Sequence, residues 1–277
     1  MKPLFSAIGV IFKRPLVFVY ISIITLVFCV VEYYNPVTGV ISGLNLKGGI
    51  SITDSFFTIV SIIMKPLHYP KMFLVLAIAI FAAAIIFAAV MSGYMFAVSN
   101  TIERRKRSPG ELRQGFRKYF FRMFFLSLFT MIIGLIFIVA LIVSLIPAFY
   151  IFKSTKEATL VLPSYVPVVL AMLSGLIAFF SIIVFEVYVL FLYPSLFEGE
   201  KRPYHNGNAV AGKAFLNMII PLMFFDAALI IFQIILSRFT ATYVMLAINW
   251  VFKSIFVSIF ISYIFASFRK YRTAEEE

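Results

Sequence analysis

Long uncharged apolar stretches alternate with short polar segments along the whole chain. A transmembrane helix needs about 20 mostly apolar residues to cross a hydrocarbon layer of about 30 Å. The pattern therefore predicts an all-α fold, a polytopic transmembrane helical bundle forming one membrane domain over 1–268, with a charged tail at 269–277. Six spans are predicted, at approximately 15–33, 72–98, 123–147, 167–193, 214–236 and 242–268.

Two further segments are amphipathic but too short to span a bilayer. In residues 1–14, apolar positions such as Leu4 and Ile8 recur at helical spacing beside basic residues, which predicts a helix in the membrane interface. In 55–64, polar residues recur every three or four positions. This segment is predicted to be an amphipathic helix at the outer face, with a re-entrant helix as the alternative.

Composition agrees with a membrane protein. The chain is 62% hydrophobic and 13% charged, whereas soluble domains carry about 25% charged residues. A net charge of +12 would suggest nucleic acid as the partner of a soluble protein. Here the basic residues cluster beside the apolar stretches, so the excess is interpreted as a topology signal, and the bilayer is the expected partner rather than nucleic acid.

The distribution of Lys and Arg predicts the orientation. Of the 24, 17 fall in the N-terminus, the loops after spans two and four, and the tail. Six fall in the loops after spans one, three and five. Because Lys and Arg accumulate in cytoplasmic segments, both ends are predicted to lie in the cytoplasm, with the protein in the cell membrane.

The loop between spans two and three is the most basic segment. Within it, Ser108-Pro109-Gly110-Glu111 has the capping-box pattern, which predicts a helix that begins at Pro109 and lies against the membrane before turning into span three. The cluster is a candidate contact for anionic lipids or for a membrane-protein partner, and the alternative is topology signalling alone. Its members are Arg104, Arg105, Lys106, Arg107, Arg113, Arg117 and Lys118.

Charged residues also fall inside predicted spans. Asp226 and Lys253 lie at a similar depth on consecutive spans, which predicts an ion pair between them. Glu186 is a second candidate partner for Lys253, and Gln233 and Asn249 extend the same polar cluster. Such residues either hold helices together or line a path for an ion, a proton or a substrate.

Signatures of catalysis and metal binding are missing from the sequence. It contains neither a GxxxxGK[ST] phosphate loop nor an HExxH motif. His68 and His205 fall in loops predicted on opposite sides of the membrane, and Cys29 is the only cysteine. We therefore predict no catalytic residue, no metal site and no cofactor, and expect a protein that is not an enzyme.

One segment carries a family resemblance. Tyr193-Pro194, a short polar loop to Arg202, and the Ala-containing stretch from Ala209 to Phe215 resemble uncharacterised multi-pass bacterial membrane families. Among these is the membrane domain sometimes fused to glycerophosphodiester phosphodiesterases. The resemblance implies a multi-pass membrane domain, and the phosphodiesterase activity is not carried over because its soluble domain is missing from this chain.

Two functions remain open from the sequence. One is an accessory or scaffold component of a bacterial membrane complex, favoured by the missing chemistry and the basic cytoplasmic face. The other is a small-solute or lipid transporter that uses the charged residues within the spans.

Overall fold

The computed structural model describes residues 2–34, 69–106, 108–156, 165–198, 203–236 and 242–273. These residues are helical apart from turns, and no strand occurs among them. All but the first of their helices are long and apolar enough to cross a membrane. The predicted all-α polytopic bundle with six spans is confirmed. The helices are α1 (Lys2–Lys13), α2 (Pro15–Tyr34), α3 (Pro70–Ile102), α4 (Glu111–Lys156), α5 (Tyr165–Phe197), α6 (Pro203–Leu236) and α7 (Thr242–Thr273).

Several helices extend beyond their predicted apolar cores. α4 is one continuous helix of 46 residues, so the predicted turn between an interfacial segment and span three is wrong. α7 continues to Thr273 and takes in the first five residues of the predicted tail. Hydropathy marks only the part of a helix that hydrocarbon would cover, whereas the backbone hydrogen bonds continue into the polar ends. The predicted helix at 55–64 lies outside the described residues.

Two compact units make up the chain. The first comprises Met1–Ser42, Ile85–Ser127 and Glu186–Glu277, and the second comprises Gly43–Ala84 and Leu128–Phe185. In the second unit, the part of α4 that follows Ser127 packs on the part of α5 that precedes Glu186. The rings of Phe137 and Phe185 stack there at 4.5 Å between centroids and 5° between planes.

The apolar core of the first unit contains residues from each of the helices α1 to α5 and from α7. Tyr94, Tyr119 and Met123 are almost fully buried in this core. The Tyr119 ring lies 4.7 Å from the Phe197 ring, and its hydroxyl donates to the Phe197 carbonyl at 3.4 Å. The end of α5 is therefore fixed against the first turns of α4.

Glycine allows α3 and α4 to approach closely. A Cβ atom at Gly93 would lie 2.5 Å from the Leu112 carbonyl oxygen. A Cβ at Gly115 would lie 2.7 Å from the Phe96 Cβ. Small residues permit such backbone approach between membrane helices. Gly207, like Gly115 the fifth residue of its helix, packs in a similar way on α5.

Large apolar side chains are exposed on every span. Examples are Phe121 at 71% and Ile220 at 78% of their accessible surface. A soluble monomer rarely exposes apolar patches of such extent. The outward surface of the helices is therefore suited to lipid.

Candidate functional site: a basic end and a polar network within the spans

A buried ion pair joins the start of α4 to the junction of α1 and α2. The Arg14 guanidinium donates from Nη1 to the Glu111 carboxylate, and each side chain is only 8% exposed. Asn100 Nδ2 donates to the other Glu111 oxygen at 2.6 Å. Arg14 Nη2 donates to the Arg105 carbonyl at 3.0 Å. We call Arg14, Asn100 and Glu111 the buried cluster, and its several hydrogen bonds offset part of the cost of burying two charges.

The predicted capping box does not form. Ser108 Oγ donates to Gln114 Oε1 at 3.4 Å, and the Glu111 carboxylate belongs to the buried cluster. Gly110, with φ +72°, interrupts the helical backbone, and its carbonyl accepts the first helical bond from the Gln114 amide. The helix therefore begins at Glu111, two residues after the predicted start at Pro109.

Hydrogen bonds hold the backbone at the start of the connection between α3 and α4, from Glu103 to Arg105. Arg104 adopts φ +58°, a conformation uncommon for residues other than glycine. The Arg105 amide donates to the Asn100 carbonyl at 2.9 Å, and its own carbonyl accepts from Arg14. The side chains of Arg104, Arg105 and Lys106 are exposed. We call these three residues the basic turn.

The other predicted basic residues lie at the start of α4. Arg113, Arg117 and Lys118 are exposed there, and Lys118 Nζ lies 5.1 Å from the centroid of the neighbouring Tyr119 ring. Arg107 lies outside the described residues. The structure thus brings the described members of the basic set to one end of the first unit, which we call the basic end.

Two arginines at the end of α7 also bind at the basic end. Arg269 Nη1 donates to the Ile102 carbonyl at 2.8 Å, at the last residue of α3. Arg272 forms an ion pair with Glu198, directly after the last residue of α5. Sequence reasoning missed both contacts because both arginines fall in the predicted charged tail. The sequence does contain a signal for the ion pair, because Glu198 directly follows one span and Arg272 follows the end of another.

Within the spans, Lys253 forms an ion pair with Glu32. Asn249 Nδ2 donates to the Glu32 carboxylate at 3.5 Å, and Gln233 Nε2 donates to Asn249 Oδ1 at the same distance. These four residues, which we call the span network, connect α2, α6 and α7. Three of them belong to the predicted polar cluster, and Glu32 is the member that sequence reasoning missed.

The predicted pairing of Lys253 with Asp226, or with Glu186, is wrong. The Asp226 and Glu186 carboxyl groups lie within hydrogen-bonding range of each other, between α6 and α5. The preceding residue, Phe225, faces α7 and lies 5.8 Å from the Phe256 ring. Successive residues of a helix point about 100° apart, so Asp226 turns away from α7 and towards α5.

Hydroxyl groups continue the polar contacts between α2 and α7. Thr25 Oγ1 lies 2.6 Å from Ser254 Oγ, and Trp250 Nε1 donates to the Ser22 carbonyl at 2.7 Å. The sequence offered one signal for this interface, the carboxylate of Glu32 within the first predicted span. Glu32 lies two residues before the end of α2 and forms the ion pair with Lys253.

The described residues contain no group of three His, Cys, Asp or Glu side chains that could hold a metal ion. Comparison of the chain with family models, curated proteins and solved structures gave no match. The family resemblance carried by the segment from Tyr193 to Phe215 stays a prediction. The function is therefore inferred from the geometry of the basic end and the span network.

Proposed function

We propose that the protein is an accessory or scaffold component of a bacterial cell-membrane complex, with its basic end in the cytoplasm. In this function the basic turn docks an acidic segment of a partner membrane protein. The observation that carries the proposal is the hydrogen-bonded backbone of the turn, from which Arg104 and Lys106 present exposed cationic side chains while Arg105 forms an ion pair with Glu103.

Preorganisation supports this function. A residue other than glycine at positive φ costs about 1–3 kcal/mol and persists only where its surroundings hold it. Arg104 is held in this way because the next residue, Arg105, donates its amide to the Asn100 carbonyl and accepts at its own carbonyl from Arg14. A preformed surface loses less conformational entropy when it binds, and complementary charge selects the partner.

Charge reversal tests the proposal. The double variant Arg104→Glu and Lys106→Glu is compared with a control, Lys213→Glu and Lys270→Glu, which changes the net charge equally at other exposed sites. Native gels of mild-detergent extracts from the native cells measure the assembly. Wild type and control should migrate together in a complex heavier than the 31.5 kDa chain, while the turn variant migrates free. Equal migration of all three contradicts the proposal.

A second function, transport of a small solute or lipid, is favoured by the span network. Ionisable residues inside membrane spans mark ion, proton or substrate paths in many transporters. Proteoliposomes loaded with the pH dye pyranine test the proton case. This function predicts faster equilibration of an imposed pH gradient by wild type than by Lys253→Met, and equal rates speak against it.

A further inference from the structure

The outward face of α4 changes from basic to aromatic within one helical turn. Arg113 and Arg117 are exposed, and the next positions at four-residue spacing are Phe121 and Phe125, exposed by 71% and 61%. Residues four apart lie near one face of a helix. The same face therefore carries two guanidinium groups followed directly by two aromatic rings.

The acidic residues of this segment are engaged elsewhere. Only Glu103 and Glu111 occur between positions 101 and 122. Glu111 belongs to the buried cluster, and Glu103 forms an ion pair with Arg105. The cationic groups at the start of α4 are therefore left facing outward. Two of them, Arg113 and Arg117, share one side of the helix, and we call this pair the α4 basic face.

A step from basic to aromatic side chains is typical of the boundary between headgroups and hydrocarbon. Aromatic residues concentrate at the membrane–water interface, and basic residues lie on its cytoplasmic side. Four residues, a rise of about 6 Å, separate the levels of Arg117 and Phe121. With the boundary at this step, the phosphates of the lipid headgroups would lie beside the two guanidinium groups.

We propose that the α4 basic face binds the headgroup phosphate of an anionic phospholipid. Guanidinium groups present paired N–H donors that match phosphate oxygens, and a negative headgroup complements a face without free acidic residues. This site goes beyond the proposed docking function, because it uses the helix face below the basic turn rather than the turn itself.

Lipid retention in native mass spectrometry tests the site. Delipidated full-length protein is titrated with phosphatidylglycerol and, separately, with phosphatidylcholine. The variant Arg113→Gln, Arg117→Gln is compared with a matched control, Arg104→Gln, Lys106→Gln. We expect wild type and control to retain phosphatidylglycerol preferentially, and the α4 variant to lose that preference by about tenfold or more.

Two outcomes would overturn the inference. One is equal retention of the two lipids by wild type, which needs no variant and is independent of folding. The other is an α4 variant that keeps the phosphatidylglycerol preference. Displacement of the lipid by millimolar inorganic phosphate would assign the site to free phosphate and likewise overturn it. Because the control alters the basic turn, loss of the partner complex with intact lipid retention separates this site from the proposed docking function.

Discussion

Arg14 and Glu111 are 97 positions apart in the chain and form an ion pair from which water is almost excluded. The pair fastens the first two helices to the start of α4 and, through the Arg105 carbonyl, to the basic turn. Burying two charges is costly, so removing one partner leaves an uncompensated charge in the interior. The basic end therefore depends on both residues.

We expect Glu111→Ala to lower the free energy of unfolding by about 3–5 kcal/mol, because Arg14 keeps its charge without a partner. Denaturant titration in detergent micelles measures the change. The double variant Arg14→Met and Glu111→Leu should recover most of the loss. Glu103→Ala, which breaks the more exposed pair with Arg105, is the control and should cost at most about 1 kcal/mol. Similar losses for both single variants would contradict this assignment.

Gly93→Ala and Gly115→Ala should each destabilise the protein, by about 1–3 kcal/mol, because the added methyl group overlaps backbone or Cβ atoms of the facing helix. Gly9→Ala is the matched control, since no atom lies within 4 Å of its added Cβ. In a helix that substitution should be neutral or stabilise by up to about 1 kcal/mol. Thermal unfolding in detergent compares the three variants, and a harmless Gly115→Ala would refute the close packing.

Double-mutant cycles should distinguish the observed ion pair from the one predicted from the sequence. We expect Glu32→Gln and Lys253→Met to be coupled by about 1 kcal/mol, a typical value for polar contacts within membranes. Asp226→Asn and Lys253→Met should be additive within about 0.5 kcal/mol, because Asp226 faces Glu186 instead. Unfolding free energies in micelles provide both cycles. Coupling confined to the second cycle would reverse the assignment.

Reporter fusions should place both termini in the cytoplasm, as the excess of Lys and Arg at the basic end predicts. Fluorescent protein joined to either end should fluoresce, and alkaline phosphatase joined to either end should stay inactive. The control is alkaline phosphatase inserted after Ser154, between spans three and four, which should be active. Activity of a terminal phosphatase fusion would contradict this topology.

The number of spans was predictable because hydrocarbon thickness sets a minimum length that each apolar stretch either meets or fails. Depth was also predictable, which is why Lys253 was recognised as a charge needing a partner. The partner of Lys253 was not predictable, because the depth of a residue in the membrane does not define the rotation of its helix. Phe225 decides that rotation by packing on α7, and such a contact depends on neighbours distant in sequence.

The basic end shows the same limit at a local motif. Ser108 and Glu111 have the spacing of a capping box, and a local pattern predicts a local bond. The carboxylate instead binds Arg14 and Asn100, which bring a full charge and an amide donor. A stronger non-local interaction thus replaced the local one. The four-residue motif itself gives no indication that Arg14 and Asn100 bind the carboxylate instead.

The separation of Arg14 and Glu111 has a consequence for synthesis. At about 5–20 residues per second, the ribosome adds Glu111 roughly 5–20 s after Arg14. During that interval the first two helices have been made while the arginine still lacks its carboxylate. The Arg14–Glu111 ion pair can therefore form only after α3 has been translated, so the N-terminal helices wait for a later part of the chain before this contact holds them.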